Sequence, residues 1–103
     1  MVIADVAVMP LLPAESEEQL YGYVDEVIDY IRKSGLKYEV GAMSTTIEGE
    51  YDDVFDLLKK IHKMPFNSGC TRVITVIRID EKIDGLSIDE KLKNHIGKRT
   101  NKE

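Results

Sequence analysis

Cysteine and long apolar runs are scarce in this chain, and basic residues are outnumbered by acidic ones. Cys70 stands alone, which excludes an internal disulfide, a thiolate metal cage and an iron–sulfur cluster. No apolar run approaches the roughly 18 residues that a membrane span needs. Met1 to Asp5 carries no basic residue, and Pro10 and Pro13 break the apolar stretch that follows, so a signal peptide is not expected. Lysine and arginine number 14 against 19 acidic residues, for a net charge of −5. Such a surface repels phosphate backbones, which argues against a nucleic-acid partner, and it weakly attracts small cations. There is no glycine-rich phosphate loop. His62 and His95 have no ligand partner at metal spacing, so both read as packing or surface groups. No nucleophile–base pair stands out, and Cys70 reads as a small hydrophobe. The expectation is a cytoplasmic, non-enzymatic domain with no metal and no cofactor. Its 103 residues divide into one domain over 1–97 and a polar tail over 98–103.

What is present alternates cleanly between β-like and helical patterns. Ile3 to Met9 is β-branched and apolar, and Pro10 is expected to close it. Ser16 with Gln19 forms a capping box, and Leu20, Val24, Val27, Ile28 and Ile31 follow at helical spacing. Ser34-Gly35 ends that helix. Leu36 to Val40 and Ser44 to Glu48 read as a hairpin. Asp52 and Asp53 open a second helix with Val54, Leu57, Leu58 and Ile61 on one stripe, and Pro65 is expected to stop or kink it. Arg72 to Asp80 is the clearest strand. A second capping box, Ser87 with Glu90, opens a last helix with Ile88, Leu92 and Ile96 inside. The order β-α-β-β-α-β, with right-handed crossovers, predicts an α+β ferredoxin-like sandwich: a four-stranded antiparallel sheet, two helices on one face, and a short C-terminal helix.

Two helices leave the other face of the sheet open. Alternation puts Ile3, Asp5, Ala7 and Met9 of the first strand there, with Thr46 and Glu48 of the third. From the last strand it adds Arg72, Ile74, Val76 and Arg78, while Val73, Thr75, Ile77 and Ile79 face the helices. The apolar members predict an interface, hence a homodimer or homotetramer packed sheet against sheet. The charges either pair across strands or leave a carboxylate for a cationic or amine-bearing ligand. Ser44, Thr45 and Thr46 offer hydroxyls suited to a nitrogen heterocycle, though the same residues also favour strands and turns in their own right. Three alternatives of the same fold fail on their residues. The central strands lack the stacking aromatics of an RNA-recognition module. Met9-Pro-Leu-Leu-Pro13 stands where a metal chaperone has Cys-x-x-Cys. No arginine phosphate cradle stands in the first strand or its loop.

Three stretches carry a resemblance: Ala4-Asp-Val-Ala-Val-Met-Pro10, Gly35-Leu-Lys-Tyr-Glu-Val-Gly-Ala-Met-Ser-Thr-Thr-Ile-Glu-Gly-Glu50 and Gly69-Cys-Thr-Arg-Val-Ile-Thr-Val-Ile-Arg-Ile-Asp80. Together they resemble the small thiamine-binding proteins of the YkoF-like group. The most specific part is Thr45-Thr-Ile-Glu-Gly49. The resemblance implies a ferredoxin-like oligomer that binds thiamine or its hydroxymethylpyrimidine half without catalysis, as a carrier or sensor of vitamin B1. Pro10, Tyr38, Thr45, Thr46, Glu48, Gly49 and Arg72 match the signature. Under that reading Glu48 or Asp5 balances the thiazolium charge. Ser44, Thr45 or Thr46 meets the aminopyrimidine, and Met9, Tyr38 or Ile74 packs on the ring. The other reading of the same charges is a ligand-free interaction module whose open face only builds the oligomer.

Overall fold

The computed structural model describes residues 1–12 and 16–93. The expected tail from residue 98, with His95 and Ile96 of the last helix, lies outside the described residues. Alternation organises the sheet. In the first strand, β1 (Val2–Leu12), Val2, Ala4 and Val6 are buried on one side. β1 pairs antiparallel with β3 (Thr45–Gly49) on one flank and β4 (Arg72–Asp80) on the other. β2 (Lys37–Val40) extends the layer beyond β3, giving the order β2-β3-β1-β4. The helices α1 (Glu17–Lys33) and α2 (Tyr51–Asn67) pack on one face. Val27 and Ile31 of α1, with Val54, Leu57, Leu58 and Ile61 of α2, close the core over Val2, Ala4, Val6 and Ile47. This is the ferredoxin-like architecture that the element order predicts.

The serine half of each capping box forms. The Ser16 hydroxyl accepts from the Gln19 N–H at 3.1 Å, and the Ser87 hydroxyl accepts from the Glu90 N–H at 3.1 Å. Ser16→Ala therefore removes a first-turn acceptor from α1, and urea unfolding is expected to show a loss of about 1 kcal/mol.

The prolines behave differently from the expectation. β1 does not close at Pro10 but runs to Leu12, with a register shift between Pro10 and Leu12. The ladder to β3 ends at the pair Val6 and Thr45, so at Pro10 only β4 is a neighbour. A proline is tolerated where one side of a strand has no ladder to feed. Pro65 does not end α2 either, because the helix continues to Asn67. Its effect falls on the turn before it, where the Ile61 carbonyl loses one N–H donor, and the helix carries on for two more residues. The Pro65 carbonyl accepts from Ser68 at 3.1 Å and Cys70 at 3.0 Å to finish the end.

The open face is not wholly bare. A short helix, α3 (Ile88–Leu92), docks on it and buries Ile88 together with Ile3, which is only 5% exposed. Ile3 is thus covered within the chain, contrary to the expectation for a face left to water or a partner. On β4 the faces fall as alternation predicts, yet Ile77 and Ile79 remain 41% and 39% exposed. β4 is the outer strand, and the helical layer is centred on β1, so these two side chains extend past its cover.

Candidate functional site

The open face and α3 enclose a groove of about 440 Å³, within the usual range for small-molecule sites. Its floor is set by strand register. Asp5 lies opposite Thr46 on β3 and Arg78 on β4, while Ile3 lies opposite Glu48 and Asp80. Glu39 of β2 pairs with Thr46 and completes the floor, and Ile88, Lys91 and Leu92 of α3 form a wall. Three carboxylates, Asp5, Glu39 and Asp80, line the groove against two cations, Arg78 and Lys91. The lining therefore carries a net negative charge.

Asp5 is the best defined of these groups. One carboxylate oxygen accepts from the Ser44 hydroxyl at 2.6 Å. The other accepts from Arg78 through Nη2 at 2.8 Å and Nε at 3.2 Å. Partial burial pushes the Asp5 carboxyl up, but the Ser44 hydroxyl and the Arg78 guanidinium together outweigh it and hold it below the usual carboxylate value. Asp5 is thus a fixed anion at neutral pH. A folded value below the unfolded one means that its stabilising contribution is present above the unfolded value and is lost as pH falls through the folded one. Arg78 is largely exposed, so this surface-facing pair is screened by salt and adds little to stability.

Glu48 has a structural task. Its Oε1 accepts from the Ile88 N–H at 2.6 Å, at the first turn of α3. Two ion pairs flank that tie: Lys37 to Asp89 at 2.5 Å, and Lys91 to Asp80. The hydrogen bond to Asp89 raises the Lys37 value against a small desolvation effect. These contacts come from β2, β3 and β4, so all three strands help to hold α3 over the groove.

The residues singled out in the sequence are separated by this geometry. Asp5 and Thr46 lie on the groove floor, and Ser44 reaches it through Asp5. Thr45 pairs with Val6 on the helix-facing side and is only 6% exposed, so its hydroxyl is on the other face of the sheet. Tyr38 pairs with Ile47 and packs against the core on that same side. Met9 and Arg72 do share the open face, but Met9 is four residues beyond Asp5, about 13 Å along the strand. Arg72 lies further still, opposite Leu12. The expected pairing of Asp5 with an arginine across strands is present with Arg78; Glu48 instead serves the backbone of α3. Glu39, Asp80, Lys91 and Leu92 were not singled out. The alternation of β2 and β4 already places Glu39 and Asp80 on this face. Nothing local to the sequence announces where α3 docks. Among the described residues there is no cluster of histidine, cysteine and carboxylates suited to a metal ion.

Fold and groove together define a class of small α+β proteins with a ligand-sized hollow on an otherwise open antiparallel sheet. Comparison with known proteins narrows this. The chain belongs to the thiamine-binding protein family, whose model matches residues 4–96. A UPF0045 protein of Clostridium perfringens is 42% identical over 84 residues, covering 82% of this chain and 88% of its own length. Among solved structures, a DUF77 domain of unknown function from Bacillus cereus superposes with a TM-score of 0.83 at 36% identity, covering 91% of this chain and 88% of that one. A candidate thiamine biosynthesis/salvage protein from Thermotoga maritima superposes with a TM-score of 0.78 at 31% identity, covering 90% and 96%. No described helix is long and apolar enough to cross a membrane.

Proposed function

We propose that this protein binds thiamine, or its hydroxymethylpyrimidine part, in the groove between α3 and the open face of the sheet. Binding is non-catalytic, and the protein acts as a homo-oligomeric carrier or sensor. The observation that carries the reading is a ligand-sized hollow, in a member of a thiamine-binding family, that is floored by the fixed anion Asp5 and the Thr46 hydroxyl. The net negative lining suits a permanent thiazolium cation, and Thr46 supplies a donor and acceptor for ring nitrogens and an amino group. Ile3, Ile88 and Leu92 offer the apolar contact from which most of the affinity of a small ligand comes.

One observation favours the second reading, a ligand-free interaction module. Both Asp5 and Glu48 already have partners within the chain. Titration calorimetry of the purified protein with thiamine, and separately with hydroxymethylpyrimidine, decides between the two. Saturable heat with either compound supports the binding role, and flat traces at millimolar ligand support the module. Because Asp5 is held ionised, thiamine affinity is expected to stay constant from neutral pH down to the ordinary carboxylate range and to fall only below it. A decline already centred near neutrality would assign the charge balance to another group.

A further inference from the structure

Arg78 and Lys91, the cations of the groove, are each paired with a carboxylate, and the two pairs are built differently. Lys91 with Asp80 joins α3 to β4, so opening that pair loosens a wall. Arg78 with Asp5 joins facing positions of one sheet, and the ladder between β1 and β4 does not depend on their side chains. Within this second pair the partners sit at different depths. The Asp5 side chain is 23% exposed and lies on the groove floor, whereas the Arg78 side chain is 80% exposed. The guanidinium therefore reaches the carboxylate from the solvent side, donating to Oδ2 through Nη2 at 2.8 Å and Nε at 3.2 Å. Oδ1 is engaged separately by the Ser44 hydroxyl at 2.6 Å. The anion that suits a charged ligand is thus already occupied on one side by a cation of the chain itself.

We propose that Arg78 holds the place of the ligand's positive charge in the free protein, and that a cationic ligand binds by displacing its guanidinium from Asp5 into solvent. The proposal rests on the binding role above and adds what the groove selects for, an organic cation exchanged for a side-chain cation. The exchange costs little. An exposed ion pair contributes little to stability, because water solvates the freed head group and the long arginine side chain regains rotamer freedom on release. Asp5 stays in place throughout, since Ser44 keeps its hydrogen bond to Oδ1. The incoming charge meets a carboxylate that is already oriented, with Glu39 and Asp80 adding to the negative lining. Ile3, Ile88 and Leu92 add the demand for an apolar body, which a hydrated metal ion does not meet. A neutral molecule of similar shape cannot make the same exchange. Taking the place of Arg78 would leave an ionised carboxylate on the floor with one oxygen unpartnered, at a cost that a neutral contact does not offset. Such a molecule binds beside the closed pair. Arg78 is therefore a specificity-determining residue, which charged ligands replace and neutral ones leave in position.

Two measurements test the exchange, with thiamine as the cationic probe and hydroxymethylpyrimidine as the neutral one. The first follows the Arg78 Nε–H signal by NMR in isotope-labelled protein, assigned by its absence from Arg78→Met. Saturating thiamine is expected to move that signal to the position of a free arginine side chain, and saturating hydroxymethylpyrimidine to leave it where it stands. The second compares affinities by titration calorimetry. Arg78→Met keeps an apolar stem and removes the competitor. Thiamine is then expected to bind about twofold to fivefold more tightly, the span that an exposed ion pair is worth, and hydroxymethylpyrimidine to change by less than about twofold. An Arg78 signal unmoved at saturating thiamine overturns the proposal and leaves the binding role intact. So does thiamine affinity that is unchanged or weaker in Arg78→Met, or equal tightening for both ligands. Saturable heat with thiamine from Arg78→Met alone supports the proposal, because it marks Arg78 as the block. No heat with thiamine from either protein overturns the proposal and the binding role together.

Discussion

Replacing Asp5 with asparagine is expected to weaken thiamine binding by tenfold to a hundredfold, while hydroxymethylpyrimidine loses less than about threefold. The substitution removes one negative charge from the groove floor and leaves Arg78 without its counter-ion. A thiazolium bound a few ångströms away would then face a lining with no net charge and an Arg78 guanidinium that has lost its carboxylate partner. At an effective dielectric of about 20, one unit charge at about 5 Å is worth roughly 3 kcal/mol, and solvent at the groove mouth reduces it. The uncharged pyrimidine feels only the altered hydrogen bonding with Ser44. Calorimetry on both ligands measures the ratio. Equal loss for the two would show that Asp5 shapes the floor without balancing ligand charge.

Glu48→Ala acts through α3 rather than through charge. It leaves the Ile88 N–H without its acceptor and removes the central tie of the helix to the sheet. A hydrogen bond to a charged acceptor is worth about 1.5–3 kcal/mol. Loosening α3 also uncovers the buried Ile88, which lines the groove with Ile3. Hydrogen exchange at the Ile88 amide is expected to speed up by tenfold to a hundredfold, and the groove loses a wall, so both ligands weaken together. Glu48→Gln keeps a carbonyl acceptor and is expected to retain most of the protection. Unchanged exchange in Glu48→Ala would mean that the flanking pairs, Lys37 with Asp89 and Lys91 with Asp80, suffice to hold the helix.

Much of this arrangement is legible in the sequence because two periodicities report on burial directly. The alternation of β1 separates Ala4 and Val6 from Asp5, and the same parity in β3 separates Ile47 from Thr46 and Glu48. Applied one residue earlier, that parity also sends Thr45 inward, so a signature match on adjacent threonines joins two residues that the sheet divides. Tyr38 follows the same logic on β2, since its neighbours Lys37 and Glu39 take the open side. The position of α3 is a different matter. Ser87 and Glu90 announce that a helix starts, but where it docks is decided by contacts 40 or more residues away in sequence, from Glu48 and Lys37. Long-range contacts of this kind leave no periodic trace. Pro10 shows a third case. A central strand ordinarily excludes proline, and only the early end of the β3 ladder explains why β1 accepts it.

The groove on the open face is tested most directly by amide chemical shifts recorded as thiamine is added to saturation. The account predicts that Asp5, Thr46, Lys91 and Leu92 move together, and that Ser34 and Lys60, beside the separate cleft between α1 and α2, stay still. Shifts confined to that second cleft, or none anywhere at saturating ligand, would contradict it.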